Sequence, residues 1–188
     1  MTTDRASGDH VLRVMAGEHA KGAADAALVL EEFGDFECPY CKQAFPILGK
    51  LLAGNEASIR LVYRHFPASQ AHPHAEMAAE AAEAAGAQGR FWEFHDLVFG
   101  RAGALDAQVL AGFAQRVGLD LARFNCDLET HVHRARVLQD LEAGRARGVR
   151  GTPGFFLNGK FVDTSYGLHH LRDAVREGLL QVNALAQK

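Results

Sequence analysis

The 188-residue sequence predicts an α/β fold built from a β-α-β unit, a long helical block and a closing β-β-α unit. Three observations predict it. Short apolar runs bounded by turn residues occur at 28–33, 58–64 and 154–157, and such runs suit buried strands. Residues 71–148 read almost wholly as helix, and an Asn158-Gly159 pair between apolar runs signals a tight hairpin, because both central residues of that turn need positive φ.

Taken in order, residues 1–26 are polar, rich in Ala and Gly and weakly patterned, which reads as a lead-in arm. The first strand follows and is broken by Gly34-Asp35. From Pro39 the pattern turns helical: Phe45, Leu48, Leu51 and Leu52 recur at three- and four-residue spacing, and Gly54-Asn55 stops the helix. The second strand runs to Phe66-Pro67. In the helical block, an Ala-rich helix from Ala75 ends near Gly86. Phe91, Trp92, Phe94 and Phe99 begin a second apolar face, which reads as core. Asp106 and Asp120 stand where helix N-caps are expected, and a further helix carries Val132, Val137, Leu138 and Leu141. After the hairpin, 167–187 form an amphipathic helix with Leu168, Leu171, Val175, Leu179 and Val182 on one face. The expected organisation is therefore 27–70 with 149–188 as one domain, 71–148 as a helical insertion and 1–26 as an arm.

Composition excludes several functions. The chain is 48% hydrophobic and 23% charged with a formal net charge of -3, which argues against a nucleic-acid partner. No apolar run has the length of a secretory signal or a membrane span, so the expectation is a cytoplasmic protein without a membrane partner. Three cysteines are too few for a disulfide scaffold, and a chain this long buries a core without one.

Two of the three, Cys38 and Cys41, flank Pro39-Tyr40 at the first strand-to-helix junction. That spacing serves metal sites, structural disulfides and redox pairs alike. A structural zinc site wants four ligands, and there is no second Cys-x-x-Cys. His72/His74, His131/His133 and His169/His170 are weak metal candidates, since helical residues two apart point to different faces and His72-Pro73-His74 suits the opening of a helix. Cys126 reads as a small, partly buried residue. At a helix start the unpaired N–H groups and the dipole favour a thiolate at Cys38, which would lower its pKa from about 8.5 to roughly 3.5–7.5. Cys41, one turn further in, is expected to be better covered. Pro39 suits the first turn because its missing N–H has no helical partner.

The element order, the Cys38-Pro39-Tyr40-Cys41 motif and the Gly151-Thr152-Pro153 before the hairpin resemble the DsbA-like thiol-disulfide oxidoreductases, a thioredoxin-like fold with an all-helical insertion between its βαβ and ββα halves. The resemblance covers roughly residues 27–185. It implies a protein-disulfide oxidoreductase in which Cys38 attacks and Cys41 resolves, with no metal or organic cofactor. It implies that Glu32 lies beneath the thiols and moves the proton of Cys41, with Glu31 as the alternative acid; residues 58–66 supply Arg60 and Arg64 but no lysine to pair with it. It implies that Pro153 is a cis-proline, and that Thr152, Pro153, Pro39 and Tyr40 contact the substrate. The expected partners are protein or peptide thiols and disulfides and an unidentified redox partner, with the chain a monomer or weak dimer. The alternative is a non-enzymatic module that uses the same fold to bind an iron-sulfur cluster or a peptide client. The direction of electron flow stays open at this point.

Overall fold

The computed structural model describes residues 18–186. Its strands are β1 (His19–Lys21), β2 (Leu28–Gly34), β3 (Ile59–His65), β4 (Gly154–Leu157) and β5 (Lys160–Val162). The helices are α1 (Pro39–Leu52), α2 (Ala75–Gly86), α3 (Phe91–Phe99), α4 (Ala107–Arg116), α5 (Leu121–Glu129), α6 (Arg134–Ala146) and α7 (His169–Ala186). One sheet of order β1-β3-β2-β4-β5 carries them, with β2 and β3 parallel and every other pairing antiparallel. This is a thioredoxin-like fold, and α2–α6 are the helical segment between its two halves.

Local chemistry accounts for the elements. Asp106 and Asp120 accept from the backbone N–H of Val109 and Arg123, so both cap their helices as the sequence predicts. Asn158 and Gly159 both have positive φ in the hairpin, as a two-residue turn of this hand requires. The Asn158 side chain also ties the hairpin to β2, accepting from Val29 N and donating to Ala27 O. The last helix of the insertion starts later than the apolar spacing suggests. His131, at φ 52°, breaks the chain, so Val132 is an exposed turn residue outside α6.

Part of the expected arm is sheet. His19–Lys21 pairs antiparallel with β3, and three residues with no large apolar side chain on an edge carry no period that a sequence reading can detect. Residues 1–17 of the arm lie outside the described residues.

Strand alternation divides the core. Leu28 and Leu30 of β2 and Ile59 and Leu61 of β3 pack with Ala44 and Leu48 of α1 and Leu171 and Val175 of α7. Phe33 points to the opposite face and packs with Phe66, Leu141 and Phe156. Phe91, Phe94 and Phe99 are buried in the insertion's core, as expected, together with Leu110, Phe113 and Phe124. No helix among the described residues is long and apolar enough to cross a membrane.

Glu31 shares the face of Phe33 and is 3% exposed. Arg147, just past α6, grips it with two nitrogens at 2.8 and 3.0 Å, and Arg64 donates to it at 3.0 Å. Burial alone would raise the Glu31 pKa, but Arg147 and then Arg64 hold it below the ordinary range. Arg147 also lies 3.9 Å from the centre of the Phe156 ring, so it ties the insertion to the sheet through charge and stacking together. Replacing Arg147 with Ala is expected to cost about 2 kcal/mol in urea denaturation, since it leaves a buried carboxylate with one partner fewer. Arg176→Ala, which removes an exposed pair with Asp173, should change stability by less than about 0.5 kcal/mol.

Candidate active site

The site forms where β2 runs out and α1 begins. Cys38 is the N-cap of α1 in extended conformation, and Pro39 occupies the first turn. Asp35 organises the turn before it: Oδ1 accepts from Glu37 N, while Oδ2 accepts from Ala68 N and lies 2.7 Å from His72 Nδ1. The chain is thereby fixed on both sides of the cysteine.

Both thiols are covered. Cys38 is 3% exposed and Cys41 fully buried, so the expected order holds although Cys38 is more enclosed than a helix mouth suggests. The Cys38 thiol donates to the Thr152 carbonyl at 3.2 Å, which joins the two halves of the fold at the site. The Thr152–Pro153 peptide bond is cis.

The two sulfurs are driven apart in acidity. Cys38 is lowered from 9.0 to about 5, chiefly by a hydrogen bond from the Cys41 thiol; burial opposes this, and the Thr152 side chain and the N–H groups of Cys41 and Tyr40 assist. Cys41 is pushed well above the ordinary thiol range by burial first, then by its bond to Cys38 and the nearby Glu32 charge. Asp35 N, at 3.5 Å, is the one donor that favours its anion. At neutral pH the pair therefore holds one thiolate, at Cys38.

Glu32 is the acid on the thiol side. It is 2% exposed, and burial, then the Cys38 charge, raises its pKa from 4.5 to about 8. Glu31 is committed to Arg147 and Arg64 on the other face. Arg64 also reaches Glu18 and Asp140, and Arg60 donates to the Gly22 carbonyl. The residue opposite Glu32 in the parallel register is instead Tyr63, fully buried with a hydroxyl that has no hydrogen-bond partner among the described residues. A Cβ at Gly34 would come within 2.8 Å of that hydroxyl, so the glycine opens the space it fills. Sequence reading missed Tyr63 because register decides which β3 residue faces Glu32, and nothing in the strand's own pattern sets it.

A cleft of about 910 Å³ leads past Thr152 and Pro153. Tyr40 and Phe161 are exposed along it, and Arg150 and Arg172 line it with no carboxylate among the described lining residues. The structure thus brings Cys38, Cys41, Glu32, Thr152 and Pro153 together, with Tyr40 on the cleft wall and Pro39 confined to the helix start. Cys126 is exposed, contrary to the partly buried position expected, because the short α5 turns Phe124 into the core with Leu121 and Leu128 beside it and leaves Cys126 on the outer face. The sequence-adjacent histidines serve carboxylates: His72 meets Asp35, His74 meets Glu37, His131 meets Glu80 and His133 meets Asp127.

A cysteine pair at the first helix of this sheet, facing a cis-proline, defines a thioredoxin-class protein. Residues 15–177 match the Thioredoxin family, and the chain belongs to it. A thioredoxin-like oxidoreductase from Silicibacter pomeroyi superposes with a TM-score of 0.76 at 29% identity, covering 87% of this chain and 92% of that one. Oxidised BdbD from Bacillus subtilis gives 0.76 at 19%, covering 87% and 93%, and Pseudomonas aeruginosa DsbA2 gives 0.62 at 25%, covering 74% and 79%. These neighbours are DsbA-like. Among curated proteins, the Na(+)/H(+) antiporter NhaA 1 of Salinispora arenicola is 44% identical over 158 residues, covering 84% of this chain, and the Na(+)/H(+) antiporter NhaA of Herminiimonas arsenicoxydans is 42% identical over 149 residues, covering 79%. The chain spans 24% of the length of each.

The acidities carry a signed prediction for the reduced protein. Cys38, titrating near 5 when folded and 9.0 when unfolded, adds stability as pH rises between those values. Glu32, raised from 4.5 to about 8, contributes stability that is lost as pH rises over that window. Between about 5 and 8 the two slopes oppose each other. Glu32→Gln should therefore make stability climb with pH there, on the order of 1 kcal/mol per unit, in urea titrations under reducing conditions. Alkylation of Cys38 should show a midpoint near pH 5 in both proteins, because Glu32 is neutral at that pH.

Proposed function

We propose that the protein is a thiol-disulfide oxidoreductase in which Cys38 is the attacking and leaving sulfur and Cys41 the resolving one. The observation that carries this is the split in acidity between two thiols one helical turn apart. In the reducing direction, the Cys38 thiolate attacks a substrate disulfide, the S–S bond breaks, and one substrate thiolate leaves and takes a proton. Cys41 then gives up its proton and attacks Cys38 Sγ; the second substrate thiol departs, and Cys38-Cys41 becomes the disulfide. The oxidising direction is the reverse: a substrate thiolate attacks Cys38, Cys41 leaves as a thiolate and is reprotonated, and a second substrate thiol displaces Cys38.

In the oxidising direction protonated Glu32 is assigned as the donor that reprotonates the Cys41 thiolate, and in the reducing direction its ionised fraction, the minority at neutral pH, accepts the Cys41 proton. A buried carboxyl with a pKa near 8 holds a proton at neutral pH and can exchange it without leaving two anions in an apolar site. Stabilising the Cys38 thiolate favours the reduced form, so it raises the reduction potential by something on the order of tens of millivolts over a pair with ordinary thiols. That favours oxidation of substrate dithiols. The cleft suits an extended peptide, with Tyr40 and Phe161 offering apolar faces and Arg150 and Arg172 favouring acidic residues beside the reacting cysteine. Ion antiport is not part of this reading, since the antiporter similarity is confined to a quarter of those proteins.

Trapping tests the assignment, with Cys126 replaced by Ser so that an exposed thiol does not compete. Cys41→Ser should accumulate a mixed disulfide through Cys38, whereas Cys38→Ser should form none. Failure of Cys41→Ser to trap any disulfide peptide would remove Cys38 as the attacking sulfur. In the same assay, reversing the charge of Arg150 and Arg172 should lower kcat/KM for acid-flanked peptides by roughly tenfold while sparing neutral ones.

A further inference from the structure

Away from the cysteines, three elements bring ligating side chains to one point. His19 of β1, His65 at the end of β3 and Glu83 in α2 each place one ligating atom within 4.8 Å of the other two. Glu83 Oε1 stands 2.9 Å from His19 Nε2 and 3.1 Å from His65 Nε2. Ligands bound tetrahedrally at about 2.0–2.1 Å lie roughly 3.3 Å from one another, so the two sides of the triangle that meet at Glu83 already have nearly the length that an ion would impose, and the third lies within 4.8 Å.

A salt bridge between carboxylate and imidazolium is the simpler account, and it serves His19, which is hydrogen-bonded to Glu83. It serves His65 only in part: that ring is fully buried, its Nε2 makes an ion-pair contact with Glu83 at 3.1 Å that falls short of hydrogen-bond geometry, and its Nδ1 has no partner among the described residues. A buried imidazole so poorly bonded is costly, and an ion between the three residues would engage Nε2 directly.

The ligands are also held in advance. The His19 ring stacks on Phe91 at 3.4 Å and 2° between planes, and a Cβ at Gly86 would come within 2.8 Å of it, so α2 leaves that ring its room. His65 packs edge-on against Tyr63 at 5.4 Å and Phe91 at 5.9 Å. Glu83 is 7% exposed, and His19 alone of the three is partly open to solvent, which provides the way in. Two imidazoles and a carboxylate suit a borderline dication such as zinc and leave a fourth position open.

We infer that His19, His65 and Glu83 form a binding site for a zinc-class divalent cation, which braces β1 and the helical insertion against the end of β3. A ligating histidine usually donates its second ring N–H to a carbonyl or carboxylate. His65 Nδ1 has none, so the ion is expected to exchange rather than to be locked in as a structural zinc.

The test uses the full chain with Cys38, Cys41 and Cys126 all replaced by Ser, which removes the thiols as competing zinc ligands. Calorimetric titration with zinc should show about one saturable site per chain, and zinc should raise the Tm. Glu83→Gln, nearly isosteric, should weaken binding by about tenfold or more and abolish the Tm shift. His19→Ala, on a partly exposed edge strand, should do the same and carries the test if Glu83→Gln does not fold. Absence of saturable binding in the triple-Ser chain, or zinc binding unchanged in His19→Ala, would overturn the site.

Discussion

At the start of α1 the N–H groups of Tyr40 and Cys41 have no helical carbonyl to bond, and they donate to the Cys38 sulfur when it is ionised. Much of the structure keeps that arrangement in place. Asp35 spends one oxygen on the turn leading into the helix and the other on Ala68 N and His72, so β2, α1 and the start of the insertion are fixed around one carboxylate. The Thr152 side chain arrives from the far half of the chain and favours the same thiolate. Stability and reactivity are coupled here, because the ordered helix start presents to Cys38 both the Cys41 thiol, which lowers its pKa most, and the N–H groups that assist it.

Glu31 and Glu32 show how strand alternation assigns opposite roles to identical side chains. One faces Arg147 and Arg64 and stays ionised, fastening the insertion to the sheet. The other faces the thiols and Tyr63 with no cation beside it among the described residues and stays protonated until about pH 8. Register is the constraint behind this: a slip of one residue between β2 and β3 would exchange the two faces and place the charge beneath the cysteines.

Much of the site was legible because its chemistry is local. A cysteine pair at a strand-to-helix junction, a proline at the first helical position, an aspartate before an apolar face and an Asn-Gly turn each act within a few residues. The parts that were not legible act across the chain. Arg147 meets Glu31 from 116 residues away, and Tyr63 meets Glu32 only through the sheet register. His19, His65 and Glu83 come from a three-residue edge strand, a strand end and an Ala-rich helix, and none stands in a recognisable motif. Cys126 was misplaced because the period of a short amphipathic helix shows which residues share a face, while how deep that face sinks depends on what packs over it.

The central claim is that the donors around Cys38 favour the reduced pair. Its most direct test is the equilibrium of Cys38-Cys41 against a glutathione series, read by trapping free thiols in the Cys126→Ser protein. A midpoint well above thioredoxin's, which is about −270 mV, is the expected result. A midpoint at or below that value would mean that the thiolate gains no net stabilisation, and failure to form the disulfide at any ratio would contradict the redox assignment itself.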